Sequence, residues 1–306
     1  MKSNKIKVLI IVLLSVFFVT GCTTQLQDSN NKPVRNPATG QTLTKNILCQ
    51  PEDKETRDLY IKYNIDIEEL PVCKNYKISD SKYDNLWSLL IVKPLAWVII
   101  QFGNILSNYG LGLIITSLLI RLIAFPLTRK TAIQSELMKQ AKPKLDKLEK
   151  KYEGKNDQES LMKKNREMMM IYQEYHINPV SGCLFAFIQI PLFIGFLEAI
   201  NRVPAIFEES LLGFQLGTTP LTGLTSGNFI YIILSIIVGV TTYFSLKLNS
   251  ASNPDDARMK MMTRIMFFMI LITSFFMTSA LNVYWVTTNL FTVVQNLLVK
   301  RKKEKV

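Results

Sequence analysis

Residues 109–128 are apolar for long enough to cross a bilayer, yet Arg121 stands in their midst. A helix rises about 1.5 Å per residue, so about 20 residues span the roughly 30 Å of hydrocarbon. A guanidinium stays protonated there, at a cost of about 2.5 to 3.5 kcal/mol on insertion scales. One reading is snorkelling: Arg121 lies roughly 12 Å of helix from Arg129, and its side chain extends part of the way toward the headgroups. The other constrains the fold more. Arg121 faces a wetted space between helices, where it meets an acidic or polar ligand.

The rest of the chain repeats the pattern of apolar runs divided by charged blocks. With 48% hydrophobic and 20% charged residues, it reads as an all-α polytopic membrane protein. Five transmembrane helices are expected, over about 109–128, 180–200, 228–247, 262–278 and 281–299, the last two forming a tight antiparallel hairpin. Residues 86–104 carry Trp87, Trp97, Lys93 and Pro94, which suit an external interfacial helix; a span is the alternative there. Residues 129–176 hold twelve basic and eight acidic residues, with apolar positions at helical spacing and a break at Gly154. They read as a hairpin of two amphipathic arms, too charged to enter lipid.

Lys2, Lys5 and Lys7 precede an apolar core over residues 8–19, too short for an ordinary span, and then Val19, Thr20, Gly21 and Cys22 resemble a bacterial lipobox. Residues 1–21 are therefore expected to be a cleaved lipoprotein signal peptide, an uncleaved anchor being the alternative. Residues 22–85 would form a lipidated external tether with little structure of its own, starting at Cys22. Cys49 and Cys73 both fall in this segment, where a disulfide is chemically permitted, whereas Cys183 reads as a small apolar side chain in a span.

Charge sets the orientation. The hairpin, the 247–264 loop with Lys247, Arg258, Lys260 and Arg264, and the tail 300–306 are basic and belong in the cytoplasm. The 201–225 loop sets Glu208 and Glu209 against Arg202 and belongs outside, which five spans and an external N-terminus allow. The net charge of +12 thus reflects topology in a plasma membrane and affinity for its lipids, not a DNA-binding stripe. His176 is the only histidine, so no metal centre built on histidines is expected, and no phosphate-binding loop or nucleophile elbow occurs; no cofactor is called for.

Within the spans, polar groups recur at Thr116, Ser117, Gln189, Thr241, Thr242, Thr287, Thr288, Asn289 and Gln295. Taken singly, each suits an interhelical hydrogen bond, of about 0.6 kcal/mol. Together with Arg121 they suit a wetted groove. The runs lack an aspartate or glutamate to face Arg121, apart from Glu198 near one end, so the countercharge is expected to arrive with a substrate.

Several features in order resemble the YidC/Oxa/Alb membrane protein insertases, in the lipoprotein form of Gram-positive bacteria. They are the lipobox at Cys22, the Arg121 to Pro126 segment, the charged hairpin, Asn178 to Cys183 followed by Gln189 and Pro191, and Tyr284, Trp285, Thr288 and Asn289. Phe185 and the segment from Thr278 to Leu281 depart from that pattern where the family often has proline or proline and glycine, which bears on helix bending. The resemblance covers roughly residues 87–306 and implies an insertase core over residues 86–306. It implies a groove open to cytoplasm and lipid with Arg121 at its centre, and a greasy wall around Gln189, Pro191, Tyr284 and Trp285. The expected substrates are nascent membrane proteins, with ribosome and Sec translocon meeting the hairpin and tail, and no turnover chemistry. Two rival readings are an anion-binding transporter or channel centred on Arg121, and a scaffold for the external segment.

Overall fold

The computed structural model describes residues 23–80, 85–155, 157–178, 181–249 and 257–303. The expected signal peptide and the lipidation site Cys22 lie outside the described residues, as do Pro179, Val180 and the last three residues of the basic tail.

The described chain is mostly helical. After an irregular stretch, α1 (Lys54–Lys62) starts at Asp53, whose carboxylate accepts from the Thr56 backbone N–H at 2.8 Å. A π turn over Ser88–Val92 leads into α2 (Lys93–Leu106), which Ser107 ends in the left-handed conformation. Next come α3 (Tyr109–Lys151), α4 (Gln158–Glu174), α5 (Ser181–Asn201) and the short α6 (Pro204–Glu208). A two-residue ribbon pairs β1 (Ser210–Leu211) with β2 (Phe214–Gln215) and is followed by α7 (Pro220–Thr225). The chain closes with α8 (Ile230–Asn249), α9 (Ala257–Phe276) and α10 (Ser279–Lys303).

Among the described residues, three stretches are long and apolar enough to cross a membrane: Ser88–Leu106, Tyr109–Lys151 and Ile230–Leu248. Gln189–Asn201 and Thr263–Phe276 are shorter apolar helices. The segment read as interfacial thus also meets the length and hydropathy of a span.

Residues 109–151 form one helix, where the sequence suggests a span ending near 128 and a separate arm beyond it. Pro126 and Pro143 lie inside it. Each removes one ladder hydrogen bond and favours a bend, but strong helix formers on both sides keep adding one bond per residue, so the helix continues. Asn108 caps its start, accepting from the Leu111 N–H at 3.0 Å.

The chain divides into two compact units, one made of residues 1–117, 190–235 and 274–284, the other of 118–189, 236–273 and 285–306. In the first, residues 23–80 are folded, contrary to the tether expected there. Leu26, Val34, Leu43, Ile47, Tyr60 and Ile67 bury one another, and Cys49 and Cys73 are joined by a disulfide. These apolar residues are too scattered to form a periodic run, and the crosslink restricts the unfolded chain they would otherwise escape into. Hydrogen bonds fix this small body to the rest of its unit. The Leu48 N–H donates to Arg202 O at 2.8 Å, and Arg202 donates to Asn46 O at 2.7 Å and Ser88 Oγ at 2.6 Å. Glu208 accepts from the backbone N–H groups of Glu52 and Asp53 at 3.0 and 3.1 Å.

In the same unit α2 and α3 approach so closely that a Cβ on Gly112 would lie 2.4 Å from Ile99 O, so only glycine fits. The α9–α10 turn is held by Asn282 Nδ2, which donates to Ser274 O at 2.9 Å. The free N–H groups that begin α10 find loop carbonyls: Ser279 N donates to Thr218 O at 3.0 Å and Ala280 N to Leu216 O at 2.9 Å.

In the second unit, the far half of α3 packs against α4 through Met138, Ala141, Leu145 and Ile177, joined by Met168, Ile171 and Tyr172. Outside that seam Lys151 pairs with Glu167 at 2.7 Å, and Lys144 with Glu174. Such exposed pairs add little stability but favour this register.

Candidate functional site: a buried polar stripe

Arg121 is 5% exposed, within the second unit. Residues seven apart on a helix share a face, and Thr128 and Ser135 follow Arg121 at that interval with Thr131 between. All are buried. The face of α8 with Thr241, Thr242 and Ser245 and that of α10 with Thr288, Thr292, Gln295 and Asn296 are buried too. Direct bonds join them: Thr128 Oγ1 to Gln295 Oε1 at 3.1 Å, and Asn289 Nδ2 to Thr242 Oγ1 at 2.8 Å.

Several hydroxyls are satisfied by their own helix. Thr241 Oγ1 donates to Ile237 O at 2.8 Å, Thr292 Oγ1 to Thr288 O at 2.9 Å, and Thr288 Oγ1 to Trp285 O at 3.1 Å. That satisfies the donors and leaves hydroxyl lone pairs as acceptors along the stripe. At the end of α8, Lys139 Nζ and Ser135 Oγ reach Leu248 O at 2.9 and 3.4 Å, capping a carbonyl that helix geometry leaves free.

Of the residues expected to line a groove, Arg121, Gln189, Trp285, Thr288 and Asn289 belong to the second unit; Gln189, Trp285 and Asn289 are half-buried. Thr116, Ser117 and Tyr284 belong to the first. There Thr116 and Ser117 bond their own helix, at Gly112 O and Leu113 O, 2.8 and 2.7 Å away. Tyr284 is 1% exposed and stacks on Phe196 with ring centres 4.7 Å apart, so in this structure it is packing rather than an open wall. Sequence reasoning missed Thr128, Thr131, Ser135, Ser245, Thr292 and Asn296. The seven-residue interval from Arg121 through Thr128 to Ser135 was the available signal, obscured by ending the span near 128 and starting a separate arm at 129. Among the described residues, no three His, Cys, Asp or Glu side chains cluster as a metal site would require.

Residues 101–306 match the family model described as 60Kd inner membrane protein. The chain belongs to this family, the YidC/Oxa1 family. It is 38% identical over 224 residues to Membrane protein insertase YidC 2 of Listeria innocua, covering 71% of this chain and 75% of that one. Membrane protein insertase YidC of Oceanobacillus iheyensis is 34% identical, with 71% and 85% covered, and Membrane protein insertase MisCA of Bacillus subtilis is 37% identical, with 71% and 80% covered. Among solved structures, an active YidC insertase crystal structure with the first transmembrane domain resolved is similar, at a TM-score of 0.51 and 23% identity. That match covers 78% of this chain and half of the other, and extends the likeness to the fold. The family match takes in all of α3 to α10, and with them the whole buried stripe of this YidC/Oxa1 protein.

Proposed function

We infer that the chain is a membrane protein insertase, and that the stripe on α3, α8 and α10 is the polar side of its groove. The observation that carries this reading is Arg121, buried on the face of α3 that also carries the buried hydroxyls of Thr128, Thr131 and Ser135. A nascent membrane protein presents a polar flanking tail that must cross hydrocarbon, and desolvating it is the barrier. A positive charge and a row of hydrogen-bonding groups inside the membrane lower that barrier, because the tail exchanges water for partners rather than for lipid. The apolar segment then leaves sideways into lipid, driven by about 25 cal/mol per Å² of buried surface. No bond is made or broken in this scheme, and no cofactor takes part.

Five spans, over 109–128, 180–200, 228–247, 262–278 and 281–299, complete the proposed topology. The α3–α4 hairpin and the basic tail face the cytoplasm of a bacterial cell, offered to ribosome, Sec translocon or anionic lipid, and residues 23–80 lie outside behind a lipid on Cys22. Residues 86–104 lie along the outer leaflet. The basic residues near the surface contribute about 1 kcal/mol each toward anionic lipid.

The charge-pairing step has a direct test. Arg121→Ala is expected to slow insertion of a small substrate with an acidic external tail roughly tenfold, as loss of about 1.4 kcal/mol would give, and a neutral-tailed version much less. Equal losses for both tails, at equal insertase abundance, would contradict it. Anion flux through vesicles, abolished by the same substitution, would instead support the transporter reading.

A further inference from the structure

The first unit holds a half-open cleft of about 350 Å³. Its walls come from the start of α1, the turn around Gln41, α6 and the loop at Gln215 and Thr218. Three carboxylates line it, Asp53, Glu55 and Glu208, and no lysine or arginine does. Two of the carboxylates are partly engaged: Asp53 caps α1, and Glu208 holds the N–H groups of Glu52 and Asp53. The positive end of the α1 dipole is therefore already met, which leaves the wall net negative. Glu55 makes no ion pair among the described residues. Of the apolar side chains in its lining Ala38 is exposed, whereas Tyr60 and Phe207 lie beneath the surface at 1% and 3% exposure.

A second, independent observation comes from an amide. Gln41 lines the cavity and is 8% exposed, yet its side-chain carboxamide has no hydrogen-bond partner among the described residues. Its neighbour Asn36 differs: its oxygen takes the N–H groups of Ala38 and Thr39 and its nitrogen donates to Thr56 Oγ1. A carboxamide on a residue otherwise buried, with both ends open to the cavity, suits a partner that both donates and accepts, as a peptide group does.

We propose that this cavity binds the lysine or arginine side chain of an extended polypeptide segment, with its cation against Glu55 and Glu208 and the adjoining peptide group on Gln41. The aliphatic stem of a basic side chain lies beside Ala38 while its head reaches the carboxylates. The volume is at the small end for ligand pockets and suits one side chain with its peptide group, not a folded partner. Burial raises the pKa of Glu208, with Glu52 and Asp53 adding repulsion, and an incoming cation relieves that strain. The site does not depend on the groove reading, since all its residues belong to the first unit.

The full chain, in nanodiscs of zwitterionic lipid, would be titrated calorimetrically with acetyl-Ala-Lys-Ala-amide and with its norleucine counterpart. The expected result is saturable binding of the lysine peptide, weakened roughly tenfold both by norleucine and by Glu55→Gln, the loss of one charge-assisted contact. The norleucine comparison uses the unaltered protein and so does not depend on any variant folding. No saturable binding, or equal binding of the norleucine peptide, would overturn the proposal. Cadaverine binding as tightly as the peptide would overturn the assignment to a polypeptide.

Discussion

At the scale of single residues, charge is used in two different ways. Arg121 is a buried cation on a helix face that carries hydroxyls, whereas Arg202 and Glu208 hold backbone groups of residues 46–53. In the sequence Arg121 already stands out inside an apolar run, whereas Arg202 and Glu208 count only toward orientation. Glu208 makes a testable case because burial raises its pKa above the ordinary glutamate value of 4.5. Below that value the group is protonated in both folded and unfolded chains and contributes nothing to a pH slope. As pH rises above it, the unfolded chain loses its proton first, so Glu208 lowers stability progressively until the folded group has also ionised. Thermal unfolding followed from pH 4 upward is expected to show Glu208→Gln losing less stability than the parent across that window. Identical slopes would show that Glu208 does not titrate differently in the folded state.

At the scale of elements, the helices were legible because their apolar runs are long and bounded, and the observed bounds of α5, α8 and α10 fall close to those runs. The polar stripe was less so. Ser135 looks like a surface residue of a charged arm once the span is ended near 128, yet α3 carries one face from Arg121 through Thr128 to Ser135. Hydrogen bonding across helices then follows from burial, since each hydroxyl and amide inside needs a partner. A double-mutant cycle on Thr128→Val and Gln295→Leu is expected to give a coupling of about 0.6 kcal/mol, the usual size for such contacts in membrane helices. Unfolding equilibria in mixed micelles would measure it, and strict additivity would remove this bond from the account.

At the scale of the whole molecule, family membership and helical architecture were readable from ordered features between Arg121 and Asn289. The folded body at residues 23–80 was not. Its core residues, from Leu26 to Ile67, come singly between polar neighbours, and only their meeting in space makes a core. Its disulfide spans 24 residues of sequence, and closing such a loop is worth about 3 kcal/mol. Replacing Cys49 and Cys73 with serine is expected to destabilise the first unit by about that much in denaturant unfolding, while insertion at moderate temperature persists. Loss of insertion with the second unit still folded would give this body a part in the activity itself.

The central claim is that this chain alone, through the polar face carrying Arg121, moves proteins into a bilayer. The measurement that tests it most directly is insertion of a small two-span protein into liposomes containing only the purified chain, without nucleotide, scored by protease protection. Protected product from the unaltered chain, clearly reduced with Arg121→Ala at equal reconstitution, is the predicted result. No protection above empty liposomes, with correctly folded protein in the membrane, would contradict it.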